Sequence, residues 1–395
     1  MTSRAQDGNL GLGSLGLGSL GLGSIVFAGG GTGGHISPGI AIAEQVAELA
    51  PEFERVFACS TRAVDARMLA HVGAAFVPIT AEGLSLRPTR LIRFARAFLM
   101  GRAQSRRLLA ERRARVVVAL GGYVTAPVAT AANALGVPVL LVNLDATPGK
   151  ANRLVARRAA RILTALPTPS MPGFAERVVG MPIRRAAIGD GTQQDARERL
   201  GLAPGFRTLL VTGASQGAAS LNDLLALLLQ EERPAFSGWQ VLHLVGNADR
   251  APVEAAYRAA GVRASVVPFV HEMGLAWRAA DLSLSRAGAN SVAEAVHNAV
   301  PTVFAPYPYH ADLHQRWNAE PYAREGLAVL ADDLIDARRN RATLGDELIG
   351  LMTDDARREA MRAQLDARPR EDAAREIARI AIDMARASLV SRRPS

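Results

Sequence analysis

The sequence lacks the features of a disulfide-bonded or membrane-spanning protein. Cys59 is the only cysteine in 395 residues, so no internal disulfide can form, which is typical of a reducing compartment. No apolar stretch reaches the roughly 18 residues that a transmembrane helix needs. The first residues, in which Arg4 and Asp7 precede a glycine-rich run, also lack the apolar core of a secretory signal peptide. We therefore expect the protein to stay in the cytosol.

Lysine is almost missing as well. Lys150 is the only one, so arginine carries nearly all of the net charge of +9. Such a charge indicates anionic partners: phosphate groups, acidic lipid surfaces or nucleic acid. Hydrophobic residues make up 49% of the chain and charged residues 21%, which is typical of folded proteins. The length favours two domains.

A glycine-rich repeat is followed by a regular alternation of predicted elements. Residues 10–24 repeat LGLGS three times, and so many glycines make the backbone costly to order. From residue 25, short apolar runs alternate with helical stretches, which predicts buried parallel strands joined by crossover helices. The fold class predicted is α/β with two doubly wound, Rossmann-like domains. The expected boundaries are a flexible leader without function at 1–24, a first domain at 25–184, a second domain at 185–362 and a C-terminal helix at 363–395 whose docking partner stays open.

The stretch AGGGTGGHISPG, residues 28–39, follows the first predicted strand. Its glycines let the backbone approach a phosphate or a sugar, and the next helix offers unpaired N–H groups. Ser37 and Pro38 suit the N-cap and first position of that helix. The glycine spacing also matches the weak G-x-G-x-x-G pattern, which keeps a nicotinamide oxidoreductase open. His35 either caps the helix entrance or takes a proton from a hydroxyl held at the loop.

A second strand, loop and helix cradle, GASQGAASLN, begins the second domain at 213–222 and offers Ser215 to a phosphate oxygen. Further on, Ser291 and Glu294 have the S-x-x-E spacing of a capping box. Alternatively, the carboxylate of Glu294 accepts the two hydroxyls of a ribose. Composition and spacing do not separate these two interpretations.

Two histidines, His310 and His314, stand four residues apart, as zinc ligands on a helix do. No glutamate follows the first of them and no third ligand is evident, so polar contacts with a sugar are favoured over a metal site.

Residues 87–115 contain ten arginines and one glutamate. Leu91, Phe94, Phe98 and Leu99 fall at helical spacings on one side, so the segment is either a solvated face or a basic amphipathic helix that lies on an anionic bilayer. No basic motif interleaved with aromatic residues supports a nucleic-acid partner.

Seven motifs, taken together and in this order, resemble those of the MurG family, bacterial transferases that add N-acetylglucosamine to lipid-linked muramyl-pentapeptide. The motifs are GGTGGHISPGIAIA (30–43), LGGYVTAP (120–127), VVGMPIR (178–184), GASQGAASLN (213–222), FVHEM (269–273), RAGANSVAEA (286–295) and HQRWNA (314–319). The likeness extends from about residue 25 to 385. It implies a glycosyltransferase of the GT-B architecture that makes peptidoglycan precursor at the cytoplasmic face of the membrane as a peripheral protein. The sugar nucleotide would lie mainly against the second domain and the lipid acceptor against the first.

The resemblance also implies site residues. Glu294 would hold the ribose, Val270 would lie against uracil, and Ser215 and Arg184 would meet the diphosphate. The full donor-binding set is Thr32, Gly33, Gly34, Arg184, Ser215, Val270, Ala289, Asn290, Ser291, Val292, Ala293, Glu294, His314 and Gln315. The acceptor-side set is Tyr123, Asn222 and Asn318. Because no convincing Asp-x-Asp site is present, we expect no obligatory metal or cofactor, with UDP-N-acetylglucosamine as a substrate.

One segment departs from the family pattern. Where the family usually has His-Glu-Gln-Asn, this chain has Val142, Asn143, Leu144 and Asp145. Either Asp145 serves as the catalytic base in place of His35 or together with it, or the acceptor has changed. A related glycosyltransferase with another lipid acceptor therefore stays open, as do a UDP-N-acetylglucosamine 2-epimerase and an inactive binding protein. The oligomeric state is not indicated by the sequence.

Overall fold

Two parallel sheets with helices on both faces make up the fold, so the predicted α/β class with two Rossmann-like domains is confirmed. The computed structural model describes residues 21–31, 33–83, 88–213, 218–309 and 313–391. Within these ranges, none of the helices has both the length and the hydropathy that crossing a bilayer requires.

The first sheet has apolar cores on both of its faces. Its strands are β1 (Ser24–Gly29), β2 (Glu54–Cys59), β3 (Ala75–Pro78), β4 (Ala114–Gly121), β5 (Val139–Asn143), β6 (Arg161–Thr164) and β7 (Arg177–Val178), and its helices are α1 (Gly33–Leu49), α2 (Ala63–His71), α3 (Pro88–Glu111), α4 (Thr125–Ala134) and α5 (Lys150–Ala156). Along β1, Ile25 and Phe27 enter the core beneath α1, whereas Val26 and Ala28 enter the core beneath α4. A strand buried on both faces needs apolar side chains at consecutive positions, which explains the uninterrupted apolar runs of the sequence.

The second sheet repeats this construction. Its strands are β8 (Arg207–Thr212), β9 (Trp239–Leu244), β10 (Arg263–Val267), β11 (Leu282–Ser285), β12 (Thr302–Phe304) and β13 (Val329–Leu330). Its helices are α6 (Gln193–Arg199), α7 (Ala219–Glu231), α8 (Arg250–Ala260), α9 (Met273–Ala279), α10 (Ala289–His297), α11 (His314–Arg324), α12 (Ala337–Asn340), α13 (Asp346–Thr353) and α14 (Asp355–Asp366), and the last helix is α15 (Ala373–Ser391).

Both sheets change direction at an equivalent place. The strand orders are β3-β2-β1-β4-β5-β6-β7 and β10-β9-β8-β11-β12-β13. The order therefore reverses between β1 and β4 in the first sheet, and between β8 and β11 in the second. The carboxyl ends of strands at such a reversal form the crevice in which doubly wound folds bind ligands.

The C-terminal helix α15 packs on the first half, a placement that the sequence had left open. Ile377, Ala381 and Ala385 are buried in the core that β1 and α1 also form. At the surface, Arg386 donates to Glu52 at 2.9 Å. The chain therefore passes between the halves twice, near Arg184 and again after α14.

The start of α1 differs from the prediction. Ser37 and Pro38 were expected at the N-cap and first helical position, but α1 begins at Gly33 and contains Pro38 in its interior. In a regular helix the N–H of residue 38 would donate to the carbonyl of Gly34. Proline has no N–H, but this carbonyl accepts a hydrogen bond from a residue outside α1, so the helix tolerates Pro38. Of the predicted leader, only residues 21–24 are described; Ser24 belongs to β1, and Arg115 donates to the carbonyl of Leu22 at 2.8 Å.

Candidate active site

The two halves meet at loops that follow the central strands. Nδ2 of Asn290, in the first turn of α10, donates to the carbonyl oxygen of Gly34 in α1 at 3.3 Å. The amide group of Asn318, fully buried in α11, lies 3.3 Å from the backbone nitrogen of Ala146, which follows β5. These contacts define the candidate site as a cleft lined by both halves.

His35 lies in the first turn of α1, against the end of β4. A Cβ on Gly121, where φ is 109°, would come within 2.9 Å of Cδ2 and 3.0 Å of Nε2 of the imidazole. Glycine at 121 therefore allows the ring to sit there. Loss of hydration lowers the pKa of His35 from its ordinary value of 6.5, while the carboxylates of Asp145 and Asp65 act in the opposite direction. At neutral pH the ring is mostly neutral, so it is able to accept a proton.

The segment that departs from the family pattern divides into core and cleft residues. Val142 and Leu144 are buried in the core of the first half, so their side chains do not face an acceptor. Nδ2 of Asn143 donates to the carbonyl of Asp145 at 2.6 Å, and its Oδ1 accepts from Asn152 at 3.0 Å. Asn143 thereby holds the backbone of Asp145, whose partly exposed carboxylate acts on His35. Asn152, which the sequence did not indicate, also reaches the Gly121 position beside His35.

A second carboxylate, Asp65 in the first turn of α2, lies beneath the glycine loop and was missed in the sequence. It is fully buried, and its Oδ2 accepts hydrogen bonds from the backbone nitrogen of Gly31 at 2.8 Å and from Ser60 Oγ at 2.6 Å. Arg62 donates to the carbonyl of the same Gly31 at 2.7 Å. The loop is therefore held from both sides. No short sequence pattern links these residues, because they come from two different loops.

A cavity of about 680 Å³ opens beside the glycine loop in the first half. It is lined by Gly30, Gly31, Ser60, Thr61, Arg62, Ala81, Glu82, Gly83, Arg90, Arg93, Tyr123 and Val124. Arg93 pairs with Glu82 at 3.0 Å, which leaves the lining with an excess of positive charge. Tyr123, a predicted acceptor-side residue, packs its ring against Gly83. The cavity therefore suits an anionic group.

Helix α3 borders this cavity through Arg90 and Arg93. Several of its apolar side chains are exposed, namely Leu91, Ile92, Leu99 and Met100. An exposed apolar strip flanked by arginines is typical of a surface that lies on lipid.

On the other side of the cleft, the carboxylate of Glu294 is buried in α10. Its Oε2 accepts from Nε1 of Trp277 at 3.0 Å. Burial raises the pKa of Glu294, while the Trp277 hydrogen bond and the charge of Arg184 lower it. The capping-box alternative is wrong: the N-cap of α10 is Gly288, without a side-chain cap, so Ser291 and Glu294 lie inside the helix.

Arg184 lies on the link between the halves, where β7 has ended and a short 3₁₀ turn, Arg185–Ala187, begins. Its Nε is buried and has no hydrogen-bond partner among the described residues. Its charge acts on the carboxylates of Glu294 and Glu44 and on His271. An arginine beside a buried carboxylate, with a donor still free, is suited to bind a phosphate oxygen.

The other donor-side candidates differ in what they expose. Ala289 and Ala293 pack against the core of the first half, so α10 forms part of the contact between halves. Val292 is 1% exposed and points into the second core, and its side chain therefore cannot line a nucleotide site. Val270 is partly buried, and Gln315 accepts from the backbone nitrogen of Tyr307 at 2.9 Å.

Two family models match the chain, one over most of each half. Residues 25–164 match the glycosyltransferase family 28 N-terminal domain, and residues 208–377 match the glycosyltransferase family 28 C-terminal domain. A protein of Geobacter sp. (strain M21), named UDP-N-acetylglucosamine--N-acetylmuramyl-(pentapeptide) pyrophosphoryl-undecaprenol N-acetylglucosamine transferase, is 34% identical over 358 residues, which are 89% of this chain and 94% of that protein. The chain belongs to the MurG family.

Solved structures agree with the fold of this MurG family member. The superposition on the crystal structure of Acinetobacter baumannii MurG covers 91% of this chain and 99% of the MurG chain, with 24% sequence identity and a TM-score of 0.68. The glycosyltransferase SnogD from Streptomyces nogalater covers 92% and 99%, with 20% identity and a TM-score of 0.62. At these identities the likeness concerns the fold.

Two of the residues inferred from the MurG resemblance are not where they were expected. Asn222 and Asn318 were placed on the acceptor side, but both belong to the second half. Oδ1 of Asn222 lies 3.0 Å from Nε2 of His243, inside that half, and Asn318 bridges the halves. The predicted domain boundaries already put both residues in the second half; what the structure adds is that Asn318 lies close enough to Ala146 to reach the first half, whereas Asn222 does not leave its own half.

Three predicted residues, Thr32, Ser215 and His310, lie outside the described residues. Gly33 and His314 are the first residues of α1 and α11. Among the residues that the structure does describe, no group of three or more histidine, cysteine, aspartate or glutamate side chains could hold a metal ion.

Proposed function

We propose that this chain is an inverting glycosyltransferase that moves N-acetylglucosamine from UDP-N-acetylglucosamine to the muramyl 4-hydroxyl of undecaprenyl-diphospho-muramoyl-pentapeptide. The name of the Geobacter sp. relative gives the same donor, the same transferred sugar and the same lipid-linked acceptor. The observation that carries the proposal is the pairing of two sites across the Gly34–Asn290 contact: a neutral imidazole, His35, on one side, and Arg184 with Glu294 on the other.

The chemistry is a single displacement. The acceptor hydroxyl gives its proton to the base, its oxygen bonds the anomeric carbon, and the bond from that carbon to the diphosphate breaks, so UDP leaves with the electron pair. His35 is the base in this proposal. Asp145, whose charge favours the protonated ring, stabilises the imidazolium that forms. Attack from the face opposite the leaving group inverts the anomeric centre.

On the donor side, Glu294 accepts the ribose hydroxyls, and Arg184 binds the diphosphate as negative charge develops on it. The amide groups at the starts of α1 and α10 add positive potential. We propose that these groups suffice without an obligatory metal. Undiminished transfer in excess EDTA is the expected result, and loss of activity that Mg²⁺ restores would overturn this part.

For the lipid acceptor, we propose that the cavity beside the glycine loop takes the diphosphate and that α3 rests on an anionic bilayer at the cytoplasmic face. The excess of arginine at the cavity and the exposed Leu91, Ile92 and Leu99 support this arrangement. The protein should therefore co-sediment with vesicles that contain phosphatidylglycerol or cardiolipin at low salt. A variant with Ile92 and Leu99 changed to Ser should remain in the supernatant. Equal co-sedimentation of the two proteins would contradict the proposal.

The central experiment uses labelled UDP-N-acetylglucosamine and a panel of lipid acceptors. We expect label to enter the organic phase with undecaprenyl-diphospho-muramoyl-pentapeptide. Transfer only to a different lipid would support the alternative that Asp145 accompanies a changed acceptor. Conversion of the sugar nucleotide without acceptor would instead indicate an epimerase.

A further inference from the structure

The buried carboxylate of Asp65 has no role in the transfer mechanism proposed above. Its Oδ2 accepts from Gly31 N, from Ser60 N at 3.1 Å and from Ser60 Oγ, so it joins the loops that follow β1 and β2. Its Oδ1 is buried without a hydrogen-bond partner among the described residues. A carboxylate oxygen that is buried and unpaired costs stability, and a neutral acceptor would join the two loops without that cost.

The loop is fitted closely around this group. A Cβ on Gly30 would lie 2.4 Å from Oδ2 of Asp65, which is a clash, and Gly30 and Gly31 both have positive φ, 153° and 94°. Because Arg62 holds the carbonyl of Gly31 while Asp65 holds its N–H, both polar groups of this residue are engaged. The N–H of Gly31 is consequently not available to a phosphate.

The charge of Asp65 reaches the proposed base. It acts on His35 in the same direction as Asp145, favouring the protonated ring against the effect of burial. Gly29, the last residue of β1 and next to the held loop, lies beside the ring-bearing residue: a Cβ added at Gly29 would come within 3.5 Å of the Cβ of His35. The loop that Asp65 holds is therefore a close neighbour of His35.

We propose that Asp65 is a positioning residue of the transfer reaction: it fixes the glycine loop beneath the acceptor and stabilises the imidazolium of His35 once that ring has taken the acceptor proton. This inference rests on the proposed function. Asp65 itself touches neither substrate.

Two substitutions separate its two roles. Asp65→Asn keeps an oxygen for Gly31 and Ser60 but removes the charge, whereas Asp65→Ala removes both. For Asp65→Ala we expect kcat to fall about 100-fold, the size of effect that a misplaced catalytic loop produces, with the Kd for UDP unchanged because the second half holds the nucleotide. For Asp65→Asn we expect a smaller fall in kcat. The acid limb of the pH profile of kcat should also move to lower pH by about one pH unit, because one of the two carboxylates that favour protonated His35 has lost its charge.

A matched control is Asp281→Asn. This carboxylate also accepts from a backbone nitrogen, Thr208 N at 2.6 Å, and pairs with Arg197 at 2.5 Å, but it precedes β11 at the opposite end of the second sheet. We expect Asp281→Asn to lower the melting temperature while leaving the kcat profile of the folded enzyme unchanged.

Amide hydrogen exchange supplies a readout that does not depend on activity. Peptides covering Gly31 should exchange faster in Asp65→Ala and remain protected in Asp65→Asn. If the wild type transfers sugar and Asp65→Asn matches it in kcat and pH profile, the electrostatic role is refuted; if exchange at Gly31 is equal in all three proteins, the positioning role is refuted. A wild type that transfers no sugar to any acceptor would instead refute the proposed function.

Discussion

The carbonyl oxygen of Gly34 accepts a hydrogen bond from Nδ2 of Asn290 across the cleft at 3.3 Å. Gly34 is four residues before Pro38, and proline has no N–H to donate back along the helix. The carbonyl oxygen of Gly34, in the first turn of α1, therefore receives no hydrogen bond from residue 38, and Asn290 of the other half donates to it instead. A local irregularity in one helix thus becomes a contact between the donor and acceptor sides.

Asn290→Ala should weaken this contact. A neutral hydrogen bond contributes about 1 kcal/mol, so kcat/KM should fall about 5-fold. Pro38→Ala supplies a competing N–H to Gly34 and should act in the same direction without touching the nucleotide side. If both changes act through one bond, the double variant should be little worse than either single one in steady-state assays; additive losses would show that the two residues act separately.

Arg184→Met should lower the affinity for UDP about 10- to 100-fold, because a charge-assisted hydrogen bond to a diphosphate contributes about 1.5–3 kcal/mol. Isothermal titration calorimetry measures this directly. The neighbouring Arg185 pairs with Glu48 at 2.6 Å on α1 and serves as the control. Equal losses of affinity in Arg184→Met and Arg185→Met would argue against a specific diphosphate contact.

Glu294→Gln tests the ribose contact while keeping an oxygen for Trp277. The wild type should bind UDP about 10-fold more tightly than its 2′,3′-dideoxy analogue, because the buried carboxylate loses its partners in that complex. The variant should show a much smaller preference. An equal preference in both proteins would remove Glu294 from the ribose site.

Asp145→Asn introduces the asparagine that the family usually has at this position. Because the Asp145 carboxylate favours protonated His35, its removal lowers the pKa of that ring further. The acid limb of the kcat profile should therefore move to lower pH, and kcat at its plateau should fall about 10-fold. His35→Ala should lose the acid limb and at least about 100-fold in kcat. Full activity of Asp145→Asn with an altered acceptor preference would favour the changed-acceptor alternative.

Burial lowers the pKa of His243 to about 4, and the ring contacts Tyr257 Oη and Asn222 Oδ1, both at 3.0 Å. Between pH 6.5, the ordinary pKa of histidine, and pH 4, residue 243 binds a proton in the unfolded chain but not in the folded protein. The free energy of unfolding should therefore fall between pH 6.5 and 4, by about 2 kcal/mol at pH 5 from this group. Urea titrations at pH 7 and 5 should show a smaller loss for His243→Gln than for the wild type. An identical loss would contradict the assignment.

The sequence predicted the sheets well because runs such as Ile25–Ala28 are short and apolar at consecutive positions, which is the pattern that strands buried on both faces require. It also indicated His35 and Glu294, which stand within recognisable motifs. It did not predict the start of α1, because the helix depends on a contact of Gly34 with a residue 256 positions away.

Asp65 and Asn152 could not be found in the same way. Asp65 acts on a loop 34 residues earlier, and Asn152 acts through Asn143. Neither spacing has a periodic or motif-like form. Their roles follow only from the packing of separate loops, which a single sequence does not encode locally.

The return of α15 to the first half affects how the cleft can move. Two segments of chain connect the halves, one at Arg184 and one after α14, and Arg185 N is tied to Glu44 on α1 at 2.9 Å. Two attachment points favour rotation about the line that joins them over other relative motions of the halves. We therefore expect the halves to open and close about this axis, so that each closure returns His35 to the same place opposite the second half.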